Sequence, residues 1–191
     1  MGLFLDMREV RGWVHNMARG RSVLNLFAYS CSFGVSAMLG GATRVLNVDV
    51  SKPYLEWGQE NYRLNDLTAD PHDFVFGDAF DWLRRLGRRN EPFDMVLVDP
   101  PSFSSTPFSV VRDYTRLVEG AARALAPGGI LVAATNHAST SDQRFEAWLD
   151  HGLSDARRHG HLLQQWHEPA ADFPVPPGRD PYLKVRALVL D

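Results

Sequence analysis

Five short aliphatic runs punctuate the first 135 residues: Ser22–Ala28, Arg44–Val50, Phe74–Asp78, Asp94–Pro100 and Gly129–Thr135. Longer stretches with helical spacing separate them. Such alternation admits few folds: it predicts a parallel sheet with crossover helices, whose strands are mostly aliphatic because both faces are covered. The helical signature is plainest in "SVVRDYTRLVEGAARALAPGG", where Val110, Val111, Tyr114, Leu117, Val118, Ala121 and Leu125 recur every three or four residues until Pro127-Gly128-Gly129 ends the run. After Thr135 the pattern changes. "HLLQQWHE" and "YLKVRALVLD" read as strands joined by a proline-rich segment with no helix between them, which predicts an antiparallel hairpin at the end of the sheet. The sum is an α/β, Rossmann-like, mostly parallel seven-stranded sheet with helices on both faces.

In an open sheet of this kind, ligands bind beyond the carboxyl ends of the strands, so the residues closing each strand carry the chemistry. The first run leads into "FAYSCSFGVS", where only Gly34 is present instead of the Gly-x-Gly-x-x-Gly that lets backbone approach a pyrophosphate. A nicotinamide-dependent oxidoreductase is therefore disfavoured, and a cofactor without phosphates fits better. Asp49 closes the second run about twenty residues later, placed either to accept from both ribose hydroxyls or to cap the next helix, a role that Ser51 also fits. Asp78 closes the third. It suits an adenine amino group, with Ala79 and Phe80 as apolar neighbours, or again a helix cap. The fourth run ends "FDMVLVDPPSFSS": Asp99 is followed by Pro100 and Pro101, which fix a rigid extended turn, and by Phe103, able to stack on a flat base. The fifth ends in Asn136 and His137, which face the cleft or serve the loop.

Composition narrows the class further. The net charge is −3 and the cations are almost all arginine, 18 against Lys52 and Lys184, so any attraction to nucleic acid must come from local groups such as Arg84, Arg85, Arg88 and Arg89, or Arg8, Arg11, Arg19 and Arg21. No apolar run approaches the roughly 20 residues of a membrane helix, and the seven histidines lack ligand company at metal spacing, so neither membrane nor metal is expected. A single cysteine, Cys31, forms no internal disulfide, which agrees with a reducing cytoplasm. One domain spanning 1–191 is expected from the length.

Three blocks, "GLFLDMREVRGWV", "VLNLFAYSCSFGVSAMLGGATRVLNVDVSKPYLEWGQENYRLNDL" and "FDMVLVDPPSF", resemble the class I S-adenosylmethionine-dependent methyltransferases that modify 23S ribosomal RNA, a group with a 5-methylcytosine and a 7-methylguanine branch. The resemblance runs from Gly2 to Thr135. It implies that Phe27, Ala28, Tyr29, Ser30, Cys31 and Asp49, with Val50 and Ser51 beside it, hold the methionine and ribose parts of S-adenosylmethionine. It further implies that Asp78 and Ala79 hold the adenine end, that Asp99 to Phe103 join cofactor to target base, and that Asp6 and Arg8 cap the cofactor from the N-terminal side. Members of the group usually carry an additional N-terminal region, which is expected to be absent because the chain begins at the start of the methyltransferase core.

Carbon 5 of cytosine is too weakly nucleophilic to take a methyl group directly, so the 5-methylcytosine branch first adds a thiolate to the ring, using a cysteine after the fourth or fifth strand. Here those places read Asp99-Pro100-Pro101-Ser102-Phe103 and Thr135-Asn136-His137. The second is similar to the Ser-Asn-Asn of the 7-methylguanine branch. A base nitrogen in RNA, with guanine favoured, is accordingly the expected target, attacked in line and oriented by Asp99, Phe103 and Asn136. An exocyclic amine, a small molecule and a catalytically silent domain that binds RNA or a protein are the alternatives. Cys31 is expected to form a small wall of the methionine pocket.

Overall fold

The computed structural model describes residues 2–89, 91–102 and 109–191. The aliphatic runs form strands β1 (Ser22–Leu26), β2 (Arg44–Asp49), β3 (Phe74–Phe76), β4 (Phe93–Val98) and β5 (Leu125–Thr135), followed by β6 (Gly160–Trp166) and β7 (Lys184–Leu190). Helices α1 (Arg8–Met17), α2 (Ser32–Leu39), α3 (Lys52–Leu64), α4 (Ala79–Arg89), α5 (Val110–Arg123) and α6 (Asp142–Ala156) connect them. The sheet runs β3-β2-β1-β4-β5-β7-β6, with β7 antiparallel to both its neighbours and the other pairings parallel. Strand order reverses between β1 and β4, and the crevice beyond their carboxyl ends is where such sheets take ligands.

Side chains alternate across the sheet with the two-residue period of a strand. Val23, Met95, Leu97, Ile130 and Val132 face Val10, Val14, Phe33 and Ala37 of α1 and α2. On the other side Leu24, Val96, Val98 and Leu131 meet Leu83, Tyr114, Leu117, Phe145 and Leu149 of α4, α5 and α6. Covering both faces explains why the strands read as largely apolar runs. Within this core Asn25 donates to Asn47 (2.9 Å) and Asn47 to the Tyr62 hydroxyl (3.1 Å), which locks α3 onto β1 and β2 without leaving a buried polar group unsatisfied.

Four strands stop short of the sequence expectation. β1 ends at Leu26 rather than Ala28, β2 at Asp49 rather than Val50, β3 at Phe76 rather than Asp78, and β4 at Val98 rather than Pro100. After β1, β2 and β4 apolar or proline residues continue past the last ladder pair into a loop, where composition alone does not reveal the turn, and after β3 Gly77 and Asp78 already belong to it. The α5 helix also ends before the proline: Ala124 caps it, and the Ala124 carbonyl accepts from the Phe93 amide (2.9 Å), drawing the chain directly onto β4. Leu125 therefore belongs to β5, Pro127 to Gly129 lie in a register irregularity of that strand, and Val111 is solvent-exposed. Among the described residues no helix is long and apolar enough to cross a membrane.

Candidate functional site

Beyond β1 the backbone alternates in handedness. Phe27 (φ 57°), Tyr29 (φ 48°) and Cys31 (φ 58°) occupy the left-handed region that non-glycine residues avoid at a cost of about 1–3 kcal/mol each. Long-range bonds hold them there. The Tyr29 amide donates to Asp49 Oδ2 (2.8 Å), the Ala28 amide to the Val48 carbonyl (3.0 Å), Asn61 Nδ2 to the Ser30 carbonyl (2.9 Å) and Ser30 Oγ to the Gly2 carbonyl (2.5 Å). The Tyr29 ring is packed by Phe4, Tyr54 and Trp57, with centroids 5.6, 4.6 and 5.9 Å away.

Cys31 departs from its expected place in a pocket wall. Its side chain is fully buried with Ala28, Leu55, Tyr62 and Phe74 under α3, so close to Gly58 that a Cβ there would collide with the sulfur. Burial pushes the thiol far above its ordinary pKa, with the Asp49 charge adding to the effect. It still shapes the loop from within: the Cys31 amide donates to the Ala28 carbonyl (2.7 Å) and the thiol to the Tyr29 carbonyl (3.8 Å).

Asp49 stands at the centre of this end of the sheet. Burial raises its pKa and the surrounding amides, Tyr29 foremost, pull it back. Its Oδ1 accepts from the Ser51 amide (2.9 Å), while the capping of α3 falls to Ser51, whose Oγ accepts from Tyr54 (3.4 Å). Of the two roles the sequence allowed Asp49, helix capping is thus taken by its neighbour. Asp78 is different: its Oδ1 accepts from the Phe80 and Asp81 amides (2.9 and 3.2 Å) and so caps α4, with Ala79 buried behind it. Val50 and Phe76 stay exposed at the ends of β2 and β3 despite their apolar side chains. An acid with open lone pairs between two exposed apolar side chains and a constrained loop fits a nucleoside-bearing cofactor, with hydroxyls on the acid and a purine on the apolar surface.

Across the crevice lies Asp99. Protein crowds its carboxyl although part of its surface stays open, and burial, reinforced by Asp6 and opposed by Arg11, lifts its pKa to about 7. Pro100 is buried and Pro101 exposed. Ser102 Oγ donates to Asn136 Oδ1, joining the turn after β4 to the end of β5, and His137 is hydrogen-bonded to Thr140 Oγ1 (2.9 Å). Phe103 lies outside the described residues. Asp6 accepts from the Tyr182 hydroxyl (2.9 Å), and Tyr182 is held by its amide on the buried Glu168 (3.0 Å). Arg8 points elsewhere, forming an exposed ion pair with Asp172 in the β6–β7 connection.

Sequence reasoning missed Arg11 and Tyr182. Arg11 follows Arg8 by three residues, one turn along α1, and that spacing was its signal. Tyr182 is 176 residues from Asp6, a pairing that only the fold creates.

Residues 1–189 match the S-adenosylmethionine-dependent methyltransferase family. The chain is 42% identical over 142 residues to a protein named ribosomal RNA large subunit methyltransferase K/L from Psychrobacter sp. (strain PRwf-1), a match covering 71% of this chain and 17% of that protein. It is 36% identical over 179 residues to the protein of the same name from Hahella chejuensis (strain KCTC 2396), covering 87% and 24%. It thus spans about a fifth of the length of these relatives. Among solved structures, SMU.776 in complex with SAH superposes with a TM-score of 0.92 at 32% identity over 98% of this chain and 50% of that one. The seven-stranded order, the acid closing β2 and the family match over nearly the whole length lead to one conclusion: the chain belongs to the S-adenosylmethionine-dependent methyltransferase family.

Proposed function

We propose that the chain methylates a base of ribosomal RNA, a guanine ring nitrogen, by direct in-line transfer in the cytoplasm. The observation that carries this reading is the Ser102–Asn136 hydrogen bond, which ties the Asp99-Pro100-Pro101 turn to the end of β5, while the only thiol is buried under α3 on the far side of β1. The names of the relatives support ribosomal RNA as the substrate.

When bound, S-adenosylmethionine supplies an electrophilic methyl on a sulfonium centre, and a ring nitrogen accepts it without losing a proton. Asp49 takes the ribose hydroxyls, Val50 and the Asp78–Ala79 turn the purine end, and the Phe27–Cys31 loop the methionine end. The ionised Asp99 and the amide of Asn136 orient the target base by hydrogen bonds, and the prolines keep their turn from yielding as the base enters. No residue acts as a nucleophile. Alignment and the exclusion of water supply the rate.

Incubation with labelled S-adenosylmethionine and total ribosomal RNA, followed by nucleoside mass spectrometry, tests the proposal. We expect 7-methylguanine, lost in Asp99→Ala. Label confined to protein or small molecules overturns the substrate, and 5-methylcytosine overturns the mechanism.

A further inference from the structure

Between α4 and α5 runs a cleft of about 880 Å³, on the side of the sheet away from α1 and α2 and touching the candidate cofactor site only at Asp78 and Phe80. Five arginines line it, Arg84 and Arg88 from α4 and Arg112, Arg116 and Arg123 from α5, against four carboxylates. The carboxylates are already engaged. Asp78 caps α4, Asp81 pairs with Arg84, Glu119 pairs with Arg123 (2.7 Å), and Asp113 accepts from the Ser109 amide (2.9 Å) while holding Arg112 (2.8 Å) and Arg116 (3.8 Å). Arg88 has no ion-pair partner among the described residues, and Arg85 and Arg89 extend the positive surface along α4.

The arginine side chains stay more than half exposed where they pair, and the ion pairs do not exhaust a guanidinium with five donors. Their effect is to fan the arginines out. The Arg116 guanidinium is also held 4.1 Å above the Phe80 ring. Within each helix the arginines lie four or seven residues apart, hence about 6 or 10 Å along the axis, in a row rather than a point. The upper end of that row, Arg112, opens the helix that follows the Asp99 turn, so a chain lying in the cleft leads toward Asp99.

We propose that this cleft is a track for the phosphate backbone of single-stranded RNA, delivering the strand to the Asp99 turn. The inference rests on the RNA reading above. Arginine forks match phosphate oxygens in pairs, and a locally positive groove on a chain of net charge −3 attracts a polyanion. An acidic protein segment would use the same forks, but continuity with the proposed base site favours RNA.

The test measures binding of a mixed-sequence single-stranded RNA 20-mer across a salt series, with methylation of total ribosomal RNA alongside. Wild type is compared with the double variants Arg84→Gln/Arg88→Gln and Arg84→Lys/Arg88→Lys, and melting temperatures confirm that each is folded. Losing two phosphate contacts should shrink the slope of log K against log salt by about 1.4, at about 0.7 per contact for a single strand. KM for RNA should rise roughly tenfold at unchanged kcat and cofactor affinity, and the lysine variant should keep most of the slope. An unchanged slope and KM in the glutamine variant, with RNA still methylated, overturns the track alone. Arginine-dependent RNA binding without RNA methylation supports the track and overturns the functional reading. Absence of RNA binding by wild type, or displacement of RNA by polyglutamate at lower charge concentration than by RNA itself, overturns the track.

Discussion

Asp99→Asn should make the protein more stable at alkaline pH while removing its activity. The folded-state value of about 7, against an ordinary 3.8, means that the native protein holds a proton which the unfolded chain has already released. Stability therefore falls as pH rises from about 4 to about 7, and above that window the ionised carboxylate exacts its full desolvation cost. At about 1.4 kcal/mol per pH unit the ceiling is about 4 kcal/mol. Asparagine still buries a polar group and Arg11 loses an attractive neighbour, which leaves a net gain of about 1–2 kcal/mol at pH 8. For a protein of this size that is a rise of about 2–8 °C in melting temperature. Near pH 4 both proteins carry a neutral side chain at this position, so the difference should almost vanish. Scanning calorimetry of the two proteins at pH 4 and pH 8 decides the matter: equal melting temperatures at pH 8, or the same gain at both values, would refute desolvation as the source of the shift.

Because Asp99 is proposed to work ionised, kcat/KM should climb as pH rises through about 7, and a flat profile from pH 6 to pH 8 would remove the carboxylate from the mechanism. Burial and an elevated pKa should leave Cys31 inert to iodoacetamide in the native protein and reactive only after denaturation; fast native labelling followed by mass spectrometry would contradict its position under α3. Gly58→Ala drives a methyl into the Cys31 sulfur and should cost about 1–3 kcal/mol in urea unfolding, of which Cys31→Ala in the same chain should recover part. Additive losses in the double variant would show that the two residues are not in contact.

How far the sequence reached depended on whether a signal was local. Strand interiors were legible because both faces of the sheet are covered, so Met95 to Val98 are apolar without a break and Val23 to Leu26 are interrupted only by Asn25. Strand ends were not, because the left-handed turn at Phe27 is imposed by contacts to Val48 and Asp49 about twenty residues away. Asp78 read equally well as ligand or cap, and only its bonds to Phe80 and Asp81 decide its Oδ1. Least legible were the buried charges of β7. Lys184 and Arg186 look like the polar positions of an edge strand, yet β7 lies inside the sheet, and Arg186 reaches Asp142 and Glu146 of α6.

The position of β7 also bears on how the molecule is made. A chain emerging from the ribosome presents β5 and β6 well before β7, but these two strands never touch; each is hydrogen-bonded to β7 instead. Until Lys184 to Leu190 arrive, the backbone of Ile130 to Thr135 is a bare aliphatic edge, able to pair with any passing strand. A stop codon or nick that removes β7 should therefore yield an aggregating fragment, because the β5 edge it leaves stays unpaired.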